Sequence, residues 1–196
     1  MNSLLYQNPL LYERLLSVLH GKSWKKRYEL MAKLVGKNKK VLDLGCGSCV
    51  LVKYLDQSCE YIGIEANTKF VRYAQEKNLN IIHGDIFEVD FPKADIVVIS
   101  DILHHIIPKQ EQLIKKALES ASVLIICEPK HGKGICNWIS SNKLFFKLFG
   151  DNDGINRYEE MMAWEYSESA LREFLSQFGK METHRAGNSI IARLVI

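Results

Sequence analysis

Short runs of aliphatic residues alternate along this chain with segments long enough to form helices. Five such runs indicate β-strands, at residues 41–44, 61–64, 80–82, 96–99 and 123–126. Apolar strands separated by helices are typical of a parallel sheet that is buried on both faces and connected by right-handed crossovers. The sequence therefore predicts a doubly wound α/β fold.

The remaining segments complete this predicted fold. Capping and stop signals predict helices over 48–56, 68–77, 108–119 and 168–178, and residues 1–38 have the pattern of two amphipathic helices. Residues 180–196 predict a strand pair that turns near Gly187 and Asn188, which makes the last strand antiparallel. The result is a seven-stranded, mostly parallel sheet.

We expect one domain over residues 1–196, built from four parts. These are an N-terminal helical cap (1–38), a core (39–128), a long insertion after the fifth strand (130–166), and a C-terminal helix with a strand pair (167–196).

Composition excludes several classes of protein. With 47% hydrophobic and 25% charged residues among 196, the chain is globular rather than fibrous or disordered. No apolar run approaches the roughly 18 residues of a membrane-spanning helix. The first residues lack the pattern of a signal peptide, so we predict a cytoplasmic protein. We expect its five cysteines to be reduced and mostly buried, and its net charge of +3 does not by itself indicate nucleic acid.

Polar residues follow each of the first four predicted strands. Gly45 and Gly47 form a Gly-x-Gly turn between the first strand and the next segment, where backbone N–H groups can face a ligand. Glu65 ends the second strand about 20 residues later, a spacing that suits a carboxylate binding ribose hydroxyls. Asp85 follows the third strand, and the polar stretch 100–105 follows the fourth. Ligands of open α/β sheets bind at this edge.

Taken together, these motifs resemble those of class I S-adenosylmethionine-dependent methyltransferases of the small-molecule type. The resemblance is close over residues 38–128 and looser over the last two strands, and Cys49 stands where that family often has a third glycine. It implies S-adenosylmethionine as cofactor, S-adenosylhomocysteine as product, and a lid formed by the N-terminal helices and the insertion at 130–166. The cofactor-binding residues that it implies are Asp43, Gly45, Cys46, Gly47, Glu65, Ala66, Asp85, Ile86, Ser100 and Asp101.

Methyl transfer needs an aligned nucleophile, and a base only where that nucleophile arrives protonated. His105 and then His104 are the candidate bases, with Glu128 and His131 as weaker candidates, and we expect no metal. The aromatic side chains of the cap and the insertion favour a small apolar or aromatic acceptor. The candidate acceptor-binding residues are Tyr6, Tyr12, Trp138, Phe146, Tyr158 and Trp164.

Other functions stay open beside this one. A nicotinamide dehydrogenase would need a glycine at Val50, and the Cys46-x-x-Cys49 motif permits redox chemistry but lacks a second pair for zinc. RNA or protein methylation through the basic N-terminal segment, and a cofactor-binding scaffold without turnover, are the remaining alternatives. We interpret that basic run first as a solvated helix face. Its members are Lys22, Lys25, Lys26, Arg27, Lys33, Lys37, Lys39 and Lys40.

Overall fold

The computed structural model describes residues 8–129 and 168–196. The helices within these ranges are α1 (Pro9–His20), α2 (Lys22–Val35), α3 (Thr68–Glu76), α4 (Gln110–Ser120) and α5 (Glu168–Ser176). The strands are β1 (Lys40–Leu44), β2 (Glu60–Glu65), β3 (Ile81–His83), β4 (Ile96–Ser100), β5 (Val123–Pro129), β6 (Lys180–Ala186) and β7 (Ser189–Val195). Two short 3₁₀ turns, Val50–Lys53 and Leu103–His105, follow β1 and β4.

The strands form one seven-stranded sheet in the order β3-β2-β1-β4-β5-β7-β6. Strands β1 to β5 pair in parallel, whereas β7 is antiparallel to both β5 and β6. The predicted doubly wound sheet with an antiparallel last strand is thus confirmed. The strand order reverses between β1 and β4, and the crevice outside such a reversal is where sheets of this kind bind ligands.

The central strands alternate strictly between two layers of the core. Leu42 and Leu44 of β1 belong to one buried cluster, together with residues of α4 and α5. Val41 points to the opposite cluster, which includes Trp24 and Met31 of α2. Because successive side chains of a strand face opposite sides, strands buried on both faces are apolar throughout, which is the pattern seen in the sequence.

Side-chain caps set the starts of two helices. The Asn8 side chain accepts the backbone N–H groups of Leu10 and Leu11, with Pro9 at the first helical position of α1. The Asn67 side chain accepts the N–H of Lys69 at the start of α3. These bonds satisfy N–H groups that have no partner within the helix itself.

The predicted helix over 48–56 is wrong, because the chain makes only the 3₁₀ turn Val50–Lys53 there. Cys49 lies in the left-handed region with φ of +56° and donates its N–H to Cys46 O at 2.9 Å. This bond closes a tight turn around Gly47, so the residues that would open an α-helix are already bent into a loop.

Two helix boundaries also differ from the predictions. Helix α4 begins at Gln110 rather than at 108, because Lys109 donates its N–H to Ile106 O and Pro108 lies in the turn that this bond closes. Helix α5 ends at Ser176 rather than at 178, where Phe178 donates its N–H to Leu175 O in a closing turn. Both differences concern local turns and leave the topology unchanged.

The insertion at 130–166 and residues 1–7 lie outside the described residues, so the lid stays a prediction. Within 8–129 and 168–196, every helix is too short or too polar to cross a membrane.

Candidate active site

The loop after β1 contains two glycines that the structure needs for different reasons. Gly45 has φ of +62°, and a Cβ atom added to it would lie 2.3 Å from Cδ1 of Ile102 in the loop after β4. Gly47 has φ of +53°, and among the described residues no atom lies within 4 Å of the position that its Cβ would occupy. The first glycine therefore allows two loops to meet, and the second, which is half-buried, leaves open space where a side chain would lie.

Glu65, at the end of β2, accepts backbone hydrogen bonds with both carboxylate oxygens, and one of these bonds comes from this loop. Oε2 accepts the N–H of Gly47 at 2.8 Å, and Oε1 accepts the N–H of Asn67 at 2.7 Å. Burial raises the pKa of Glu65, while the backbone N–H groups of Asn67 and Gly47 oppose that rise. The backbone N–H groups of Asn67, Gly47 and Ala66 do not fill the roughly four lone-pair sites of a carboxylate, so Glu65 can still accept a hydrogen bond from a ligand.

Asp43 lies in β1, two residues before Gly45, and is buried. Burial raises its pKa to about 7, the hydrogen bond from Tyr61 Oη to Oδ2 at 2.8 Å lowers it, and the charge of Glu65 raises it. A buried acid of this kind is stabilised in its charged form by a cation. Sequence reasoning missed Tyr61, although it lies two residues before Gly63, on the same face of β2, and Gly63 pairs with Asp43.

Glu128 of β5, which is 1% exposed, contacts the loop after β4. Its Oε1 accepts the N–H groups of Ile102 at 3.1 Å and Leu103 at 2.8 Å, and its Oε2 lies 2.7 Å from His104 Nδ1. The His105 ring packs against that of His104, with centroids 4.0 Å apart, and both histidines are buried. Glu128 is therefore the residue that orients this loop, a larger role than the sequence indicated.

Asp101 was predicted to bind cofactor, and the structure pairs it with Arg27 of α2. Two hydrogen bonds join the guanidinium and the carboxylate, one of them 3.1 Å from Nη1 to Oδ1. Arg27 is 3% exposed and lies against the rings of Trp24 and Tyr28. Ser100 ends β4 directly before this pair.

The other predicted cofactor residues line the same edge of the sheet. Cys46 is half-buried, and its Sγ lies 3.5 Å from Cys49 Sγ, both as free thiols. Ala66 is exposed next to Glu65, and Asp85 is exposed after β3, where its Oδ1 accepts the N–H of Phe87 at 2.8 Å. The half-buried Ile86 accepts a hydrogen bond from Lys116 Nζ at its carbonyl oxygen.

Of the predicted acceptor-binding residues, the structure describes one. The Tyr12 ring meets the ring of Phe70 of α3 edge-on, with centroids 5.3 Å apart. The others lie outside the described residues, namely Tyr6, Trp138, Phe146, Tyr158 and Trp164.

The basic run is a solvated helix face only in part. Its lysines are exposed or half-buried, which agrees with the interpretation. Arg27 is the exception, and its inclusion in that face was wrong. It falls on the buried stripe that also carries Trp24, Tyr28 and Met31, spaced three and four residues apart. A charged residue on the apolar stripe of a helix was the signal in the sequence that a buried partner exists.

A seven-stranded sheet of this order, with a glycine loop after β1 and an acid at the end of β2, defines the class I methyltransferase fold. A family model described as a methyltransferase domain matches residues 36–173, more than half of the chain. The chain belongs to that methyltransferase family.

Solved structures share this fold at low sequence identity. A putative O-methyltransferase from Nostoc punctiforme aligns over 98% of this chain and 60% of its own, with a TM-score of 0.68 and 16% identity. Human N-acetylserotonin methyltransferase in complex with SAM aligns over 95% of this chain and 55% of its own, with a TM-score of 0.66 and 15% identity. This chain thus spans less than two thirds of either protein.

Curated relatives match a shorter stretch. The rRNA adenine N-6-methyltransferases of Bacillus licheniformis and Bacillus anthracis are each 38% identical over 68 residues, which is 32% of this chain and 24% of theirs. The match covers about a quarter of the length of these relatives.

Proposed function

We propose that this protein binds S-adenosylmethionine in the loop after β1 and transfers its methyl group to a small, apolar or aromatic acceptor. The observation that carries the proposal is the contact of Glu65 with Gly47, beside the open space over that glycine. A carboxylate with spare lone pairs, next to a glycine that lacks a covering atom, suits a ribose and the chain attached to it.

The acids of the loop region suit the polar groups of this cofactor. Glu65 would accept hydrogen bonds from the ribose hydroxyls. Asp85, in the loop after β3, would accept a hydrogen bond from the amino group of the adenine. Asp43 would face the ammonium of the methionine part, because a buried acid whose pKa is raised to about 7 needs a positive charge near it. Asp101 is already neutralised by Arg27, which gives it a smaller part in binding.

The bound cofactor supplies a methyl group on a positively charged sulfur, which an aligned nucleophile displaces. The task of the protein is to hold the acceptor in line and to take its proton where it has one. We assign that proton transfer to His104. In the tautomer that donates Nδ1–H to Glu128 across the 2.7 Å contact, Nε2 carries the lone pair that a base requires. His105, the first candidate from the sequence, is the second candidate here.

The first experiment titrates the protein with S-adenosylmethionine and S-adenosylhomocysteine by calorimetry. We expect micromolar binding to the wild type and a loss of at least about tenfold in Glu65→Ala, since that change removes two ribose acceptors and frees the N–H of Gly47. Glu60→Ala is the matched control, because Glu60 is an exposed acid at the opposite end of the same strand. No binding to the folded wild type would refute the proposal.

The second experiment measures S-adenosylhomocysteine release with a panel of phenols, aromatic amines and thiols as acceptors. With a phenol that reacts, we expect His104→Ala to lower kcat by about 10²-fold or more, as is typical of a lost general base. Glu128→Gln should lower it less, and both variants should keep the affinity for the cofactor. Cofactor binding without turnover of any acceptor would favour the scaffold function.

RNA remains the second candidate acceptor. It is favoured by the match to rRNA methyltransferases and by the exposed lysines along α2 and the segment before β1. Binding of a short RNA that weakens steeply with salt, together with methylation of its adenines, would support RNA over a small molecule.

A further inference from the structure

Helix α2 contacts the loop after β4 in the candidate active site through a buried cation, Arg27. The guanidinium of Arg27 lies 4.5 Å from the centre of the Trp24 ring and 4.9 Å from that of Tyr28, and Nη2 also donates a hydrogen bond to Tyr28 Oη. The guanidinium also makes a bidentate pair with Asp101, 74 residues further along the chain. The planar guanidinium is suited to such a pair, because two parallel bonds fix the orientation of a carboxylate as well as its distance.

The backbone of Asp101 has φ of +57°, in the left-handed region that aspartate tolerates better than most residues with a side chain. Its N–H is donated to Cys127 O at 2.8 Å, which ties it to β5. The conformation therefore persists because contacts on both sides of the residue determine it.

The residues that follow Asp101 are held from the opposite side. Glu128 accepts the N–H groups of Ile102 and Leu103 and contacts His104 Nδ1. Ile102 also packs over Gly45 of the cofactor loop. The four residues from Asp101 to His104 are thus held by contacts with Arg27 of α2 on one side and Glu128 of β5 on the other.

We infer that Arg27 is a positioning residue, which acts through Asp101 to hold His104 in place beside the cofactor loop. The inference rests on the proposed function for its catalytic meaning, and it makes α2 part of the active site rather than only a cover for the sheet. Arg27 itself touches neither cofactor nor acceptor in this proposal.

The test observes the His104 imidazole directly, in protein labelled with ¹⁵N-histidine. Its Nδ1–H signal is assigned by its absence in His104→Asn. We expect Arg27→Met to speed exchange of this proton with water by at least about tenfold, because the loop opens more often. Arg27→Lys, which keeps the charge but not the two-pronged geometry, should give an intermediate rate. The affinity for S-adenosylmethionine should change by less than about threefold, since Glu65 and Gly47 are untouched.

Met31→Ala is the matched control for loss of packing. Met31 is fully buried on the same stripe of α2. Unlike Arg27, it forms no hydrogen bond or ion pair with Asp101 in the described part of the chain. We expect it to lower overall stability and leave the exchange of the His104 proton near the wild-type rate under native conditions. If Arg27→Met does not fold, Asp101→Asn, with a side chain of nearly equal size, should speed exchange of the His104 proton in the same way.

The possible outcomes are distinct. An unchanged His104 signal in Arg27→Met or Asp101→Asn would overturn the inference, as would an equal effect of Met31→Ala. Failure of the wild type to bind S-adenosylmethionine would instead refute the proposed function, while the exchange data would still show whether Arg27 positions the loop.

Discussion

Buried acids at the carboxyl edge of the sheet differ in how their charge is offset. Glu128 receives two backbone N–H groups and a contact from a histidine ring. Asp43 receives one hydrogen bond, from Tyr61, and burial raises its pKa to about 7. Glu128 is therefore satisfied by the fold itself, whereas Asp43 lacks an opposite charge among the partners described for it.

The first prediction concerns the pH dependence of cofactor binding through Asp43. Between pH 8 and pH 6 its ionised fraction falls from roughly nine tenths to one tenth, so wild-type affinity for S-adenosylmethionine should fall by up to about tenfold. Asp43→Asn should bind more weakly and lack this contribution. The measurement is calorimetric titration of both proteins at pH 6, 7 and 8, where titration of the ligand's own amino group is common to both.

Tyr61→Phe provides the control for this prediction. The tyrosine hydrogen bond lowers the pKa of Asp43, so its removal should shift the pH dependence towards higher pH.

The raised pKa of Asp43 also makes the stability of the fold depend on pH. Because the folded pKa lies above the usual value of about 3.9, ionisation of Asp43 costs stability as pH rises from about 4 to 7, and Asp43→Asn should remove that loss. Parallel pH profiles for wild type and Asp43→Asn would argue against both effects.

At the scale of elements, the sequence predicted strands better than the ends of helices. The five aliphatic runs all became strands, because a parallel strand buried on both faces needs apolar residues throughout. The helix predicted over 48–56 failed, since Cys49 adopts a left-handed conformation that no pattern in the sequence marks as required there. Local hydrogen bonds decide such boundaries, and they depend on turns that close only in the folded chain.

Helix α3 gives a prediction at this scale. Asn67→Ala removes the side-chain oxygen that accepts the N–H of Lys69, so it should lower the free energy of unfolding by about 1 kcal/mol. Urea denaturation of the cofactor-free protein measures this. Thr68→Ala, an exposed change in the adjacent first turn, is the control and should cost less. Cofactor affinity should persist in Asn67→Ala, because its backbone N–H still reaches Glu65; equal stability of the two variants would contradict the capping role.

At the scale of the whole molecule, the strand order brings the site together. The loops after β1, β2 and β4 meet because β1 lies between β2 and β4 and parallel strands end at the same edge. Helix α2 packs on one face of the sheet and brings Arg27 to Asp101, 74 positions further along the chain. Ligand binding at that edge should therefore stabilise the entire cooperative fold and not only one loop.

We predict that S-adenosylmethionine at about 100 times its dissociation constant raises the free energy of unfolding by about 2.7 kcal/mol. Gly47→Asn tests the source of this gain, because asparagine tolerates positive φ while its side chain fills the open space over the loop. Urea unfolding with and without cofactor should show a variant of nearly native stability that loses most of the stabilisation. If the cofactor stabilised Gly47→Asn as much as it stabilises the wild type, the cofactor would bind elsewhere.

The sequence by itself determined the class of fold and the positions of Gly45, Gly47 and Glu65. Their signals are local, because apolar runs, glycine turns and an acid about 20 residues further on can be read along the chain. Only the tertiary structure decided that Asp101 pairs with Arg27, that Tyr61 supports Asp43, and that Glu128 orients His104. Each of these contacts joins residues on different elements, and a buried charge or hydroxyl takes whichever partner the packed sheet brings within hydrogen-bond distance.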